Sequence, residues 1–107
     1  MDSENMDIED WRKKIDAIDQ ELVKLLNQRG AAARAIGRLK QRTSLPIYEP
    51  QREEIILQNV SKANAGPLPT ADLHFIFQNI IAVMRTFQRS DAESGDTDPN
   101  APSVRSV

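Results

Sequence analysis

Residues 7–42 read DIEDWRKKIDAIDQELVKLLNQRGAAARAIGRLKQR, a long run with no proline. Within it Trp11, Ile15, Ile18, Leu22, Leu25, Arg29, Ala32, Ile36 and Lys40 follow one another by steps of three and four. Such steps hold a single stripe on one face of an α-helix. Asp7 is placed to cap the start, with Met6 before it and Trp11 at the fourth helical position, the spacing of a hydrophobic staple. Gly30 and Gly37 are the only weak points, and the first proline is Pro46. One very long N-terminal helix is therefore expected from about Asp7 to about Arg42.

On its C-terminal side, Thr43 to Glu49 contains Ser44 and Pro46 and predicts a loop. Pro50 suits the first turn of a second helix, where a missing N–H costs nothing. Ile55, Ile56, Asn59, Val60 and Ala63 give that helix a short apolar face, ending around Asn64 to Gly66 before Pro67 and Pro69. Thr70 is a candidate cap for a third helix with the stripe Leu73, Ile76, Phe77, Ile80, Ile81, Met84 and Phe87. No segment alternates with period two. The fold class is all-α, three helices per chain. Residues 1–90 form one helical domain. Residues 91–107 carry four acids against one base and little to bury, and are expected as a disordered acidic tail.

A helix of about 35 residues is about 50 Å long. A compact domain of about 90 residues is only about 30–35 Å across. One end of the apolar stripe would overhang, and a second copy pairing along it would cover it, so a homodimer is expected.

Composition narrows the chemistry. Of 107 residues none is cysteine and one is histidine, which removes disulfides, thiolate metal sites and cysteine nucleophiles. No metal and no cofactor are expected. The acidic opening, Met1 to Asn5, lacks the basic and apolar segments of a signal peptide, and no apolar run has membrane-spanning length; a cytoplasmic protein is expected, with no membrane partner. The net charge of −2 argues against a general polyanion binder. Without residues 91–107, however, thirteen bases face twelve acids, and Arg29, Arg34, Arg38, Lys40, Arg42 and Arg52 concentrate in the middle. Something anionic is the natural partner.

Two cations, Arg29 and Lys40, sit on the stripe where leucine or isoleucine belongs. Either can snorkel, packing its stem while the charge reaches water. Two on one face, about three turns apart, are harder to accommodate that way. A buried cation needs a partner, the stripe offers no carboxylate, and a bound anion would serve. Arg12 lies about 25 Å from Arg29 along the helix and could share a site with it only across an antiparallel dimer. Glu49, Arg52 and Glu53 cluster at the start of the second helix, where acids also favour the helix dipole. Gln88 closes the third stripe. His74 is expected at the surface.

These residues carry a family resemblance. DWRKKIDAIDQELVKLLNQR (10–29), IGRLK (36–40), PIYEPQRE (46–53) and IFQNII (76–81), in this order and spacing, resemble the all-helical AroQ-type chorismate mutases. The likeness covers about residues 8–89. It implies an intertwined dimer of three-helix chains acting on chorismate, a small dianion, and converting it to prephenate in phenylalanine and tyrosine biosynthesis. By the resemblance, Arg29 binds one substrate carboxylate and Arg12 of the partner subunit the other. Lys40 bridges a carboxylate and the ether oxygen, and Gln88 donates to that oxygen. Glu53, with Glu49 and Arg52, holds the ring hydroxyl. Two positions depart from the pattern: Glu49 where aspartate is frequent, and Met84 where a small or hydroxyl residue is frequent.

The reaction implied is a unimolecular [3,3] rearrangement that asks for no nucleophile. It needs a chair-like conformer and donors aimed at charge developing on the ether oxygen. The alternatives are an isochorismate-pyruvate lyase on the same fold and a non-catalytic helical dimerisation or anion-binding module. The acids Glu49 and Glu53 beside Arg52 favour the mutase over the lyase. Arg34, Arg38 and Arg42, spaced by four, would form an exposed basic stripe, but no aromatic residues interleave for base stacking, and no nucleic-acid partner is expected. Another enzyme of aromatic biosynthesis is a further candidate partner.

Overall fold

The computed structural model describes residues 5–94, which form three successive helices: α1 (Ile8–Thr43), α2 (Pro50–Ala63) and α3 (Thr70–Ser94). Among the described residues there is no strand, and no helix is long and apolar enough to cross a membrane. The all-α expectation holds, and the helix boundaries fall close to those expected. The exception is α3, which continues past residue 90 to Ser94. The rest of the expected tail lies outside the described residues.

Both ends of α1 are built from local hydrogen bonds. At its start the Asp7 carboxylate accepts the Asp10 N–H at 2.9 Å, and the Asp7 N–H donates to the Asp10 carboxylate at 3.2 Å. This is a reciprocal capping box with aspartate in the place usually held by Glu or Gln. At its end Ser44 adopts φ 59°, and the Leu45 N–H returns to the Lys40 carbonyl at 3.0 Å. That is a Schellman turn with serine in the left-handed position normally given to glycine. The sequence predicts only a loop here because no glycine marks the cap. The turn reverses the chain and sends residues 45–49 back past Lys40.

The chain divides after Ala32 into two units. In the first, α1 is an amphipathic helix whose Trp11, Ile15, Ile18, Leu22 and Leu25 are all exposed in the single chain. In the second, Ala33, Ile81 and Met84 are the buried apolar residues, with Ile56, Leu57, Val60, Phe77 and Ile80 half-buried around them. Here the expected stripe needs correction. The buried residues of α1 are Gly30, Ala33, Gly37 and Lys40, while Ala32 and Ile36 are exposed. Backbone proximity is the reason. A Cβ at Gly37 would lie 3.0 Å from the Gln88 carbonyl oxygen, so α3 approaches where α1 has no side chain. A stripe drawn through the large residues overlooks a face made from small ones.

The connection between α2 and α3 is organised by Asn64. Its amide nitrogen donates to the Leu68 carbonyl at 2.9 Å and to the Thr70 hydroxyl at 3.1 Å, and its Oδ1 accepts the Gly66 N–H at 2.9 Å. Gly66 takes φ 80°, a conformation a side chain would resist. Thr70 is therefore the first residue of α3 and a partner of Asn64, not its cap; the Pro69 carbonyl accepts the Asp72 and Leu73 N–H groups at 3.1 and 3.2 Å. His74, expected at the surface, is half-buried, and its Nε2 is hydrogen-bonded to the Ser61 hydroxyl of α2. Ser61 in turn bonds the Leu57 carbonyl at 3.1 Å, so the pair ties the two helices.

The left-handed serine makes a test. Ser44→Gly is expected to raise Tm by about 3 °C, because relief of a left-handed penalty of about 1–2 kcal/mol is partly offset by the added freedom of the unfolded chain. Ser44→Val is expected to lower it. Thermal melting followed by circular dichroism reads both, and a lower Tm for the glycine variant would contradict this cap.

Candidate active site

Lys40 is the centre of the second unit's polar cluster. Its residue is only 7% exposed, so the side chain does not snorkel out. Burial of an ammonium group is tolerable only when its donors are met. Lys40 Nζ has three acceptors: Glu49 Oε1 at 2.7 Å, the Ile47 carbonyl at 3.0 Å and Gln88 Oε1 at 3.2 Å. An ammonium carries three N–H donors, so the set matches its capacity. The stripe itself supplies no carboxylate, as expected. One comes from Glu49, off the stripe, carried over by the Schellman turn.

Each acceptor arrives by a different local device. Glu49 is the N-cap residue of α2, yet its side chain makes no cap bond; the carboxylate goes to Lys40 instead. Ile47 lies on the returning loop. Gln88 is brought in by the close approach of α3 at Gly37. A donor-only ammonium can be met by the amide oxygen alone, which fixes how the Gln88 amide is turned and keeps its nitrogen as the donor for a further partner. Met84, buried one turn earlier on α3, makes this wall apolar.

A second ion pair stands beside the first. Arg85 of α3 forks onto Glu53 of α2, Nε to Oε2 and Nη2 to Oε1, both at 2.9 Å. The same guanidinium lies 4.9 Å from the centre of the Tyr48 ring. Hydrogen bonding to Glu53 holds Arg85 more firmly protonated than an ordinary arginine, against an opposing effect of burial. Nothing in the sequence singles out Arg85, although it neighbours Met84 and lies three residues before Gln88. Only the packing of α2 on α3 reveals its partner.

The remaining candidates are less assembled. Arg52 is exposed in the first turn of α2. Arg29, half-buried, and Arg12, exposed, belong to the first unit. Arg12 bonds Glu9 one turn away at 2.9 Å, a surface pair of little energetic weight. Arg34, expected on an exposed basic stripe with Arg38 and Arg42, is half-buried. Its guanidinium lies 4.9 Å from the centre of the Phe87 ring, which breaks that stripe.

Chemically, the cluster offers a desolvated cation beside an amide donor. Glu49, whose side chain is 48% exposed, is the acceptor most readily exchanged for the carboxylate of a ligand.

Comparison with known proteins agrees with the all-helical fold. The family model for chorismate mutase type II matches residues 11–89. A bifunctional chorismate mutase/prephenate dehydratase of Aquifex aeolicus is 33% identical over 87 residues, 78% of this chain and 24% of that protein. A chorismate mutase of Methanocaldococcus jannaschii is 37% identical over 51 residues, 48% of this chain and 52% of its own. The structure of chorismate mutase (form II) from Thermus thermophilus is similar with a TM-score of 0.75 at 33% identity, covering 77% of this chain and 93% of that one. The chain spans about a quarter of the bifunctional relative's length. With most of its helical length matched by the family model, this chain belongs to the type II chorismate mutases.

Proposed function

We propose that the protein is a cytoplasmic enzyme that rearranges chorismate to prephenate. The observation that carries this reading is Lys40, a buried ammonium held beside the Gln88 amide with an exchangeable carboxylate on it. Chorismate brings two carboxylates and an ether oxygen. One substrate carboxylate takes the place of Glu49 on Lys40, which also reaches the ether oxygen. The Gln88 nitrogen donates to the same oxygen as its bond to carbon breaks and negative charge grows there. Fixed donors in a dry site stabilise such charge without reorganising. Arg29 and Arg12 of the partner subunit clamp the carboxylates, which holds the chair-like conformer. Glu49, once released, joins Glu53 and Arg52 at the ring hydroxyl.

The second copy in this scheme is supported by the exposed stripe Trp11, Ile15, Ile18, Leu22 and Leu25, an apolar face that water does not favour. The name of the Aquifex relative couples the mutase to a prephenate dehydratase. Another enzyme of aromatic biosynthesis, one that consumes prephenate, is the corresponding partner.

Purified protein is expected to consume chorismate, followed by loss of its ultraviolet absorbance, and to yield prephenate. Lys40→Ala is expected to cost about 100-fold or more in kcat with helix content unchanged. Full activity in the folded variant would end the assignment. Release of pyruvate from isochorismate at a comparable rate would favour the lyase. Sedimentation equilibrium is expected to give twice the 12.0 kDa chain mass, and Leu22→Asp is expected to shift it toward that of one chain.

A further inference from the structure

Two carboxylates, Glu49 and Glu53, border a site proposed for a dianion, and an uncompensated negative charge there would repel the substrate. Glu49 is paired with Lys40 at 2.7 Å until substrate takes its place there, which leaves Glu53 as the charge that needs a lasting partner. Glu53 is compensated by Arg85, whose side chain is 31% exposed against 23% for Glu53, so water screens the pair only in part. The contact is a fork of two parallel bonds at 2.9 Å, which fixes the plane of the carboxylate as well as its charge. It also uses one lone pair on each oxygen and keeps the others for a hydroxyl donor. The guanidinium face lies against Tyr48, next in sequence to Glu49. One side chain of α3 thus touches both the loop returning from α1 and the first turn of α2.

We propose that Arg85 is a positioning residue for the hydroxyl end of the substrate: it neutralises Glu53, aims its outer lone pairs at the ring hydroxyl, and braces the loop through Tyr48. The proposal rests on the chorismate reading. Arg85 is bound to Glu53 and stacked on Tyr48, while the donors proposed for the ether oxygen are Lys40 and Gln88, so its loss falls on binding shared by substrate and transition state, that is on KM more than kcat.

A double-mutant cycle tests this, with KM and kcat for chorismate measured on wild type, Arg85→Ala, Glu53→Gln and the double variant. Arg85→Ala is expected to raise KM about tenfold in the wild-type background and less than about twofold in the Glu53→Gln background, where no charge remains to be balanced. Arg85→Lys keeps the charge without the fork and is expected to fall between. If Arg85→Ala fails to fold, Arg85→Lys takes its place in the cycle, with an expected rise of a few fold that vanishes beside Glu53→Gln. Equal effects of Arg85 substitution in both backgrounds, an effect on kcat alone, or no effect would overturn the role while leaving the mutase reading intact. A folded wild type that does not consume chorismate would overturn both.

Discussion

An ammonium group withdrawn from water must find acceptors for all its hydrogens, and much of the second unit follows from meeting that demand at Lys40. The acceptors come from three places in the chain: a carbonyl at Ile47, a carboxylate at Glu49 and an amide at Gln88. Bringing them together requires the left-handed turn at Ser44, the start of α2 at Pro50 and the bare backbone at Gly37. Of the local features involved, Pro50 alone suits its place. A serine at positive φ, an acid that declines to cap its own helix and a glycine inside a helix are each locally unfavourable. Their coincidence around one cation is what a functional site would leave behind.

Much of the architecture was legible because it rests on local rules. Three helices, their boundaries and the Asp7 cap follow from spacing, proline placement and side-chain length. What escaped depended on partners distant in sequence. The buried face of α1 is shifted by a residue because close approach selects Ala33 and Gly37, and hydrophobicity patterns give small residues little weight. His74 is drawn inward by Ser61, and Arg85 is claimed by Glu53, across helices whose packing no periodicity describes. Lys40 was marked by its misplaced charge, and Gln88 was singled out as the polar end of the third stripe. The sequence could flag that a cation needed an anion, yet it could not name Glu49 as the partner the fold supplies.

The two units differ in how completely one chain satisfies them. The second buries Ile81 and Met84 and pairs its charges across helices. The first presents leucines and isoleucines along α1 with the chain's only tryptophan among them. Hydrophobic surface of that extent is ordinarily covered, and the second copy proposed above would cover it.

The contact between Glu49 and Lys40 has a kinetic meaning as well. On the proposed reading, a substrate carboxylate would take over the place that Glu49 holds on Lys40, and the site would work as an ion exchanger. The ammonium would be stripped of water once, during folding, and each cycle would then exchange one anion for another. Arrival of substrate and departure of product would share one short rearrangement, the swing of an acidic side chain.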